Sequence, residues 1–235
     1  MTWGVPLDAE KALNWPVDRV ALHLLAGFKR GGEQHWHNFL NSAAQAYQRN
    51  GFPAQDSHRI TQALAEAYDW LIIHGLLSGI PGKGEWLFIT RRGLGVLDAD
   101  DGLTLIRAEA RLDVDLHPRI ATRVRTQFLL GEYELAALAA MREVEIRVRE
   151  LAGAQARDIG VGLMRQAFKP EGGPLTDATA DKGEQEALSA LFAGAIGVFK
   201  NPVSHRQVDY EDPTLASEVV LLADLLLRIL DTRSG

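Results

Sequence analysis

The sequence of 235 residues contains no cysteine and carries a net charge of −6. Without thiols the chain can form neither disulfides nor thiolate metal sites, which favours a reducing, cytoplasmic compartment. The acidic balance argues against a general coat for nucleic acid, because non-specific affinity comes mainly from Lys and Arg that neutralise phosphates. Any nucleic-acid surface must therefore come from a local cluster of cations.

Long apolar runs are also missing. The first eleven residues show no basic stretch followed by an apolar segment, so no signal peptide is predicted. The most apolar region, residues 215–230, is interrupted by Glu218, Asp224 and Arg228, which predicts a buried helix and no membrane span. Its apolar residues cover more than one helical face, which predicts either deep burial or a contact with a second copy of the chain.

Turn-forming residues at positions 98–102 separate two regions of regular hydrophobic periodicity. We therefore predict a domain at 1–98, a linker at 99–112 and a second domain at 113–235. In the first domain the pattern predicts helices at 17–28, 35–49 and 56–77, with Asp56 and Ser57 as N-caps of the third. Two strands at 76–80 and 85–90 and a closing helix at 91–97 follow. Three helices and a β-hairpin in this order resemble a winged helix-turn-helix.

The third helix is a poor candidate for reading DNA. Its inward stripe is predicted to consist of Ile60, Leu64, Ala67 and Leu71. This leaves Glu66 and Asp69 on the outer face, where carboxylates repel phosphates. Lys83, Arg91 and Arg92 are better candidate DNA contacts, and we expect weak DNA binding or none. His35 and His37 are two residues apart and point to different sides of a helix, so we interpret them as structural. No metal and no cofactor are predicted.

The second domain is predicted to be mainly helical. Helices at 117–130 and 132–151 are joined at Gly131, and so short a link predicts an antiparallel hairpin. On the second helix Arg142, Glu145 and Arg149 share one face. They form either a solvated ion-pair face or a groove wall, in which the arginines bind phosphates and Glu145 orients one of them or His205.

The segment 197–206 carries the most chemistry. Pro202 ends an apolar helix predicted at 184–199, so Lys200 and Asn201 lie on its last turn and His205 returns from the turn that follows. The predicted core face of this helix consists of Leu188, Leu191, Phe192, Ala195 and Phe199. A histidine can exchange a proton near neutrality, and a lysine can stabilise a phosphorane transition state. The alternative is an ordinary helix C-terminus, since Lys, Asn, Pro and His are all common stop signals there.

The region from about residue 116 to 233 resembles the Ymh-type family of bacterial HEPN-like proteins. The similar segments are LLGEYE at 129–134, VEIRVREL at 144–151, GLMRQAF at 162–168, LFAGAIG at 191–197, and Asn201-Pro202 with His205-Arg206. The resemblance implies an antiparallel helical bundle, usually paired, in which an Arg and a His separated by four to six residues cleave RNA without a metal. Lys200 occupies the Arg position, Asn201 the polar position after it, and His205 that of the catalytic histidine. Lysine keeps the charge but loses the planar fork of arginine.

The resemblance therefore implies a cytoplasmic homodimeric endoribonuclease that acts as a toxin in phage defence or stress response. Lys200, Asn201 and His205 would be catalytic, and Arg142, Glu145, Arg149 and Arg206 would bind RNA. The alternative is a non-catalytic regulatory or scaffold subunit of a defence complex, with partner proteins that the sequence does not identify. In a third interpretation the Asn-Pro-His turn is structural, with Asn201 capping the helix.

Overall fold

The computed structural model describes residues 7–31, 33–200 and 212–233. These residues form eleven helices and one small sheet, so the expected mainly helical fold is confirmed. The chain divides into two compact units, Met1–Ile106 and Arg107–Gly235. This division falls within the segment 99–112 that was predicted as a linker, and that segment contains helix α6 (Gly102–Arg111).

The first unit contains five helices and a three-stranded antiparallel sheet. The helices are α1 (Ala9–Asn14), α2 (Val17–Gly31), α3 (Trp36–Arg49), α4 (Ala54–Ile73) and α5 (Arg91–Asp98), and the strands are β1 (Gln34–His35), β2 (Leu77–Gly79) and β3 (Trp86–Ile89). The strand order is β1-β3-β2. Gln34 pairs with Leu87, and Ser78 pairs with Phe88. The sheet therefore joins the β2–β3 hairpin to the short strand before α3.

Helix α4 is the centre of this unit and packs against both α2 and α3. The predicted inward stripe of Ile60, Leu64, Ala67 and Leu71 is confirmed, because all four are fully buried. The predicted start of the helix was wrong. Pro53 is the N-cap residue and makes no side-chain capping bond, while Ser57 is buried inside the helix. Proline has a backbone dihedral suited to a helix start, and it displaces the boundary from the polar residues that usually cap. The helix was predicted to extend to residue 77 but ends at Ile73, and Leu77 is the first residue of β2.

In the second unit four helices pack against a long central helix. The helices are α7 (Pro118–Leu129), α8 (Tyr133–Leu151), α9 (Gly160–Ala167), α10 (Lys182–Phe199) and α11 (Pro213–Asp231). Helix α8 packs most extensively against α11 and also contacts α7, α9 and α10. Its buried face is rich in alanine, with Ala136, Ala137 and Ala140 fully covered, and small side chains let neighbouring helices approach closely.

The predicted α7–α8 hairpin is confirmed by its contacts. Arg119, at the start of α7, forms an ion pair with Glu150, at the end of α8, so the two helices run antiparallel. The residues between them include Gly131, whose φ of 80° lies in the left-handed region that glycine adopts without strain. The loop and hairpin together place the charged face of α8 beside α9 and the end of α10.

Helix α11 is deeply buried on its core face, while Leu225 on another face is 52% exposed. Eight of its residues are buried, including Val220, Ala223, Leu226 and Leu230, which are fully covered. One expectation for α10 was wrong: Leu191 is 42% exposed, whereas Ala193 and Ile196 lie in the core. The core face of α10 is thus rotated slightly from the predicted stripe, because Phe192 and Ile196 pack inward with Ala193. No helix in the described part of the chain has the length and apolar character needed to span a bilayer.

Candidate functional site: an ion-pair cluster on Glu145

Glu145 forms the centre of a polar cluster inside the second unit. It lies on α8 with only 4% of its surface exposed. Its Oε2 accepts a hydrogen bond from Lys200 Nζ at 3.1 Å and another from the backbone N–H of Gly160 at 2.7 Å. Its Oε1 accepts a hydrogen bond from Arg149 Nη2 at 2.8 Å. One buried carboxylate therefore joins α8, the first residue of α9 and the end of α10.

The local sequence explains why these groups meet. Arg149 is four residues after Glu145, so both side chains lie on one face of α8. Gly160 begins α9 with a φ of 63°, and this left-handed conformation turns its N–H toward the carboxylate. The carboxylate consequently lies at the N-terminus of α9, where the helix dipole favours negative charge. Lys200 is the C-cap residue of α10 and extends its ammonium to the same atom.

The carboxylate stays ionised in spite of its burial. Burial alone raises the pKa of Glu145, but the Gly160 N–H, the Lys200 ammonium and the Arg149 guanidinium together outweigh this effect and hold the pKa below its ordinary value. Two cations against one carboxylate leave the cluster with one positive charge. The arrangement can therefore attract an anion while keeping its own carboxylate charged.

Lys200 keeps hydrogen-bonding capacity for a ligand. Its side chain is 19% exposed, and an ammonium has three N–H donors, of which Glu145 occupies one among the described residues. Arg149 is more fully used, because its Nε also donates to the backbone oxygen of Asp158 at 3.0 Å. Arg142 is exposed and forms no ion pair with a described residue. The three predicted charged groups on α8 thus differ, with Arg149 and Glu145 facing protein and Arg142 facing solvent.

The other predicted site residues fall into two groups. Asn201, His205 and Arg206 lie outside the described residues. In the first unit Lys83 forms an ion pair with Glu33 at 2.8 Å, and Arg91 and Arg92 are exposed on the first turn of α5. Glu66 and Asp69 are exposed on α4, as the periodicity predicted. His35 caps α3 by accepting a hydrogen bond from the Asn38 N–H, which agrees with a structural role.

Sequence reasoning missed the two backbone groups that hold the cluster. The N–H of Gly160 and the oxygen of Asp158 complete the hydrogen bonds of Glu145 and Arg149. The spacing of residue types along the sequence does not show which main-chain groups will bind a side chain. A glycine directly before an apolar helical pattern was the one available signal, since such a position often needs a left-handed backbone.

A second polar cluster lies where α7, α8 and α11 meet, and the sequence analysis did not predict it. His117 Nδ1 accepts a hydrogen bond from the Arg119 N–H, so its Nε2 carries the proton and donates to Asp231 Oδ2 at 2.9 Å. Arg147 also binds Asp231, at 3.1 Å. The hydrogen bond from His117 lowers the pKa of Asp231 most, and the Arg147 guanidinium lowers it further. Unlike Glu145, Asp231 is half exposed.

Residues 114–230 match the family described as "Protein of unknown function (Hypoth_ymh)". The C-terminal half of the chain belongs to this family. The expected Ymh-type membership is thereby confirmed, and the match includes every residue of the Glu145 cluster. No curated protein and no solved structure matches the chain significantly. The Hypoth_ymh region begins just before α7 and ends within α11, so it covers the helices of the second unit almost completely.

Proposed function

We propose that the protein is a HEPN-type endoribonuclease that cleaves RNA by internal transesterification. The observation that carries this proposal is the position of Lys200. A buried carboxylate holds its ammonium, which still has N–H donors available to a ligand. The cluster of Lys200, Arg149 and Glu145 has a net positive charge. A positioned cation of this kind stabilises the charge that develops on a phosphorane. The antiparallel helices of the second unit are compatible with a HEPN-like bundle.

In the proposed reaction the ribose 2′-OH attacks the adjacent phosphorus and the bond to the 5′ oxygen breaks. His205 accepts the proton of the 2′-OH and then, as an imidazolium, donates a proton to the leaving 5′ oxygen. Lys200 neutralises the phosphorane and Asn201 positions the phosphate. The products are a 2′,3′-cyclic phosphate and a 5′-OH. Because the nucleophile is the 2′-OH, RNA is cleaved and DNA is not.

Glu145 acts in this mechanism by positioning Lys200. Its carboxylate fixes the ammonium at the end of α10, and it binds Arg149 on the opposite oxygen. Arg142 and Arg206 are proposed to bind flanking phosphates. The enzyme is proposed to act as a homodimer in phage defence or stress response, which rests on the resemblance to HEPN-like proteins.

The first unit is proposed to be a winged-helix domain that senses a signal or tethers the enzyme. The order helix, strand, two helices and hairpin, together with the β1-β3-β2 sheet, supports this assignment. Exposed carboxylates on α4 and the Lys83–Glu33 pair support weak DNA binding or none. A protein partner is therefore the more suitable target of this unit.

One observation favours a second candidate, a non-catalytic regulatory or scaffold subunit. The buried Glu145 satisfies the charge of Lys200 within the protein, as a purely structural lysine would require. In that case the cluster fastens α10 to α8, and the segment after α10 has no proton-transfer role.

Cleavage of single-stranded RNA by the purified protein in EDTA separates the two candidates. We expect products with 2′,3′-cyclic phosphate ends, and His205→Ala should slow cleavage by about 10²- to 10⁴-fold without unfolding the protein. Lys200→Ala should have nearly as large an effect, whereas Lys200→Arg should retain or raise activity because arginine keeps the charge and adds a second donor.

Lys182→Ala is the matched control, since Lys182 is an exposed lysine on the same helix that pairs only with the exposed Glu171 among described residues. It should cleave like the wild type. Wild-type protein that leaves RNA intact, or a His205→Ala variant that cleaves normally but melts several degrees lower, would support the scaffold subunit instead.

A further inference from the structure

A groove of about 610 Å³ runs between α9 and α10, separate from the Glu145 cluster. This volume lies within the range of about 300 to 1,000 Å³ that is typical of small-ligand sites. Its lining is mostly small and apolar, with three polar side chains; the residues are Val161, Arg165, Pro170, Glu186, Ser189, Ala190, Ala193 and Gly194. A groove lined mainly by small apolar groups with a few polar side chains can accept a ligand such as a nucleotide.

The direction of the helices connects this groove to the Lys200 site. Val161 lies against Gly197, whereas the other end of the groove is formed by Pro170 and Glu186. Helices α9 and α10 are therefore antiparallel, and the Val161 end is next to Gly160, which binds Glu145. A chain bound at Lys200 can continue directly into the groove.

Arg165 gives the groove a cation. It is exposed, and it makes no ion pair or hydrogen bond with any described residue. Arg165 follows Val161 by four residues, so it lies on the same face of α9 about 6 Å further along the helix axis. Its guanidinium can bind a phosphate with two parallel hydrogen bonds. Ser189 likewise has no hydrogen-bond partner among the described residues and offers a hydroxyl to a ribose or base.

Glu186 sets the orientation of the ligand. It lies at the end of the groove away from Lys200 and is not paired with Arg165. A carboxylate repels phosphates but accepts hydrogen bonds from the amino groups of bases. The phosphate therefore lies at Arg165 and the base toward Glu186.

We propose that the α9–α10 groove is a subsite for the nucleotide next to the cleaved phosphodiester, with Arg165 binding its phosphate. The subsite rests on the proposed ribonuclease function for its position in the reaction, but its affinity for nucleotides can be measured without cleavage. It extends the RNA-binding surface beyond the residues of the Glu145 cluster.

Two variants test the subsite through binding of a short single-stranded RNA whose riboses are all 2′-O-methylated, which blocks cleavage. Arg165→Ala should weaken binding about tenfold, as expected for loss of a charge-assisted hydrogen bond, and should reduce the salt dependence by about one phosphate contact. Gly194→Leu should also weaken binding about tenfold by filling the groove. A Cβ atom added at Gly194 meets no protein atom within 4 Å, and the groove beyond it is open, so the variant should fold.

Gly162→Leu is the matched control for Gly194→Leu. Gly162 is an exposed glycine on α9 that also has open space around it but does not line the groove. This variant should bind RNA like the wild type. Equal affinities for wild type, Arg165→Ala and Gly194→Leu would overturn the subsite, and so would a wild type that does not bind the oligonucleotide.

The outcomes separate this inference from the proposed function. If unmodified RNA is cleaved but both groove variants bind and cleave like the wild type, the ribonuclease stands and the subsite is wrong. If binding depends on Arg165 while no RNA is cleaved, the subsite stands and the ribonuclease is wrong. An acidic peptide that binds more tightly than the oligonucleotide, again through Arg165, would identify a protein-binding groove and overturn the RNA assignment.

Discussion

The two polar clusters on α8 use similar residues in different surroundings. Glu145 is 4% exposed and each of its oxygens is bonded to a protein donor, whereas Asp231 and Glu150 are about half exposed. A buried carboxylate that loses its partners, or part-buried cations that lose their carboxylate, have little water to replace the interaction. Exposed pairs exchange their partners for water and ions at small cost. The Glu145 cluster is therefore expected to stabilise the fold more than the Asp231 cluster does, because its carboxylate is buried and not because it has more ion pairs.

The largest expected effect comes from removing Glu145, and the matched comparison is Glu150, an exposed carboxylate that pairs with Arg119 and Arg147. Glu145→Ala leaves Lys200 and the Gly160 N–H without their buried acceptor, and we expect it to destabilise the second unit by about 3 to 5 kcal/mol. This corresponds to a fall in Tm of roughly 10 °C or more. Glu150→Ala, which removes an exposed carboxylate from the same helix, should cost less than about 1 kcal/mol.

Chemical denaturation of both variants at low and high salt measures this difference. The effect of Glu150→Ala should shrink further in high salt, because exposed pairs are screened, while that of Glu145→Ala should persist. Equal losses of stability would contradict the comparison and would mean that burial of Glu145 is not maintained in solution.

The pH dependence gives the next largest effect. The folded protein holds the pKa of Glu145 below its ordinary value, so the unfolded chain binds this proton at a higher pH than the folded chain does. The stabilisation is thus fully present above about pH 4.5 and is lost as the pH falls through the folded value, with a slope of at most about 1.4 kcal/mol per pH unit. Glu145→Gln should lack this component. If the free energies of unfolding of the wild type and Glu145→Gln changed with pH in the same way, the partners of Glu145 would not lower its pKa.

The smallest expected effect concerns two glycines at the start of α9. Gly160→Ala forces a left-handed backbone on alanine and should destabilise the protein by about 1 to 2 kcal/mol. Gly162→Ala lies in the same helix with an ordinary helical backbone and open space, and it should stabilise the protein by up to about 1 kcal/mol. Thermal unfolding of the pair measures both signs. Stabilisation by Gly160→Ala would show that its N–H does not need the left-handed turn to reach Glu145.

Parts of the fold could be predicted because periodicity reports local burial. The stripe at Ile60, Leu64, Ala67 and Leu71 repeats every three or four residues, and it is buried as expected. Boundaries were less predictable. Asp56 and Ser57 are favourable caps, yet Pro53 caps α4 three to four residues earlier, because a helix extends where tertiary packing supports it.

The candidate site shows a similar limit. Residue spacing placed Glu145 and Arg149 on one face of α8, and the end of an apolar helix placed Lys200 at its C-terminus. Nothing in the spacing indicated that these two locations lie together, because Glu145 and Lys200 are 55 residues apart in sequence. The exposure of Leu191 was missed for the same reason, since a single helix does not show which side its neighbours will cover.

The amino-acid sequence by itself determined the helical character, most of the helix positions, the membership of the C-terminal half in its family, and the residue types available for phosphate chemistry. These follow from short-range periodicity, stop signals and ordered motifs. Tertiary structure decided that Glu145 is buried beneath Lys200, that the backbone of Gly160 and Asp158 completes the cluster, and that α9 and α10 enclose a groove with Arg165 on its wall. Such features depend on which distant surfaces meet when apolar area is removed from water, and this contact pattern is a property of the packed chain.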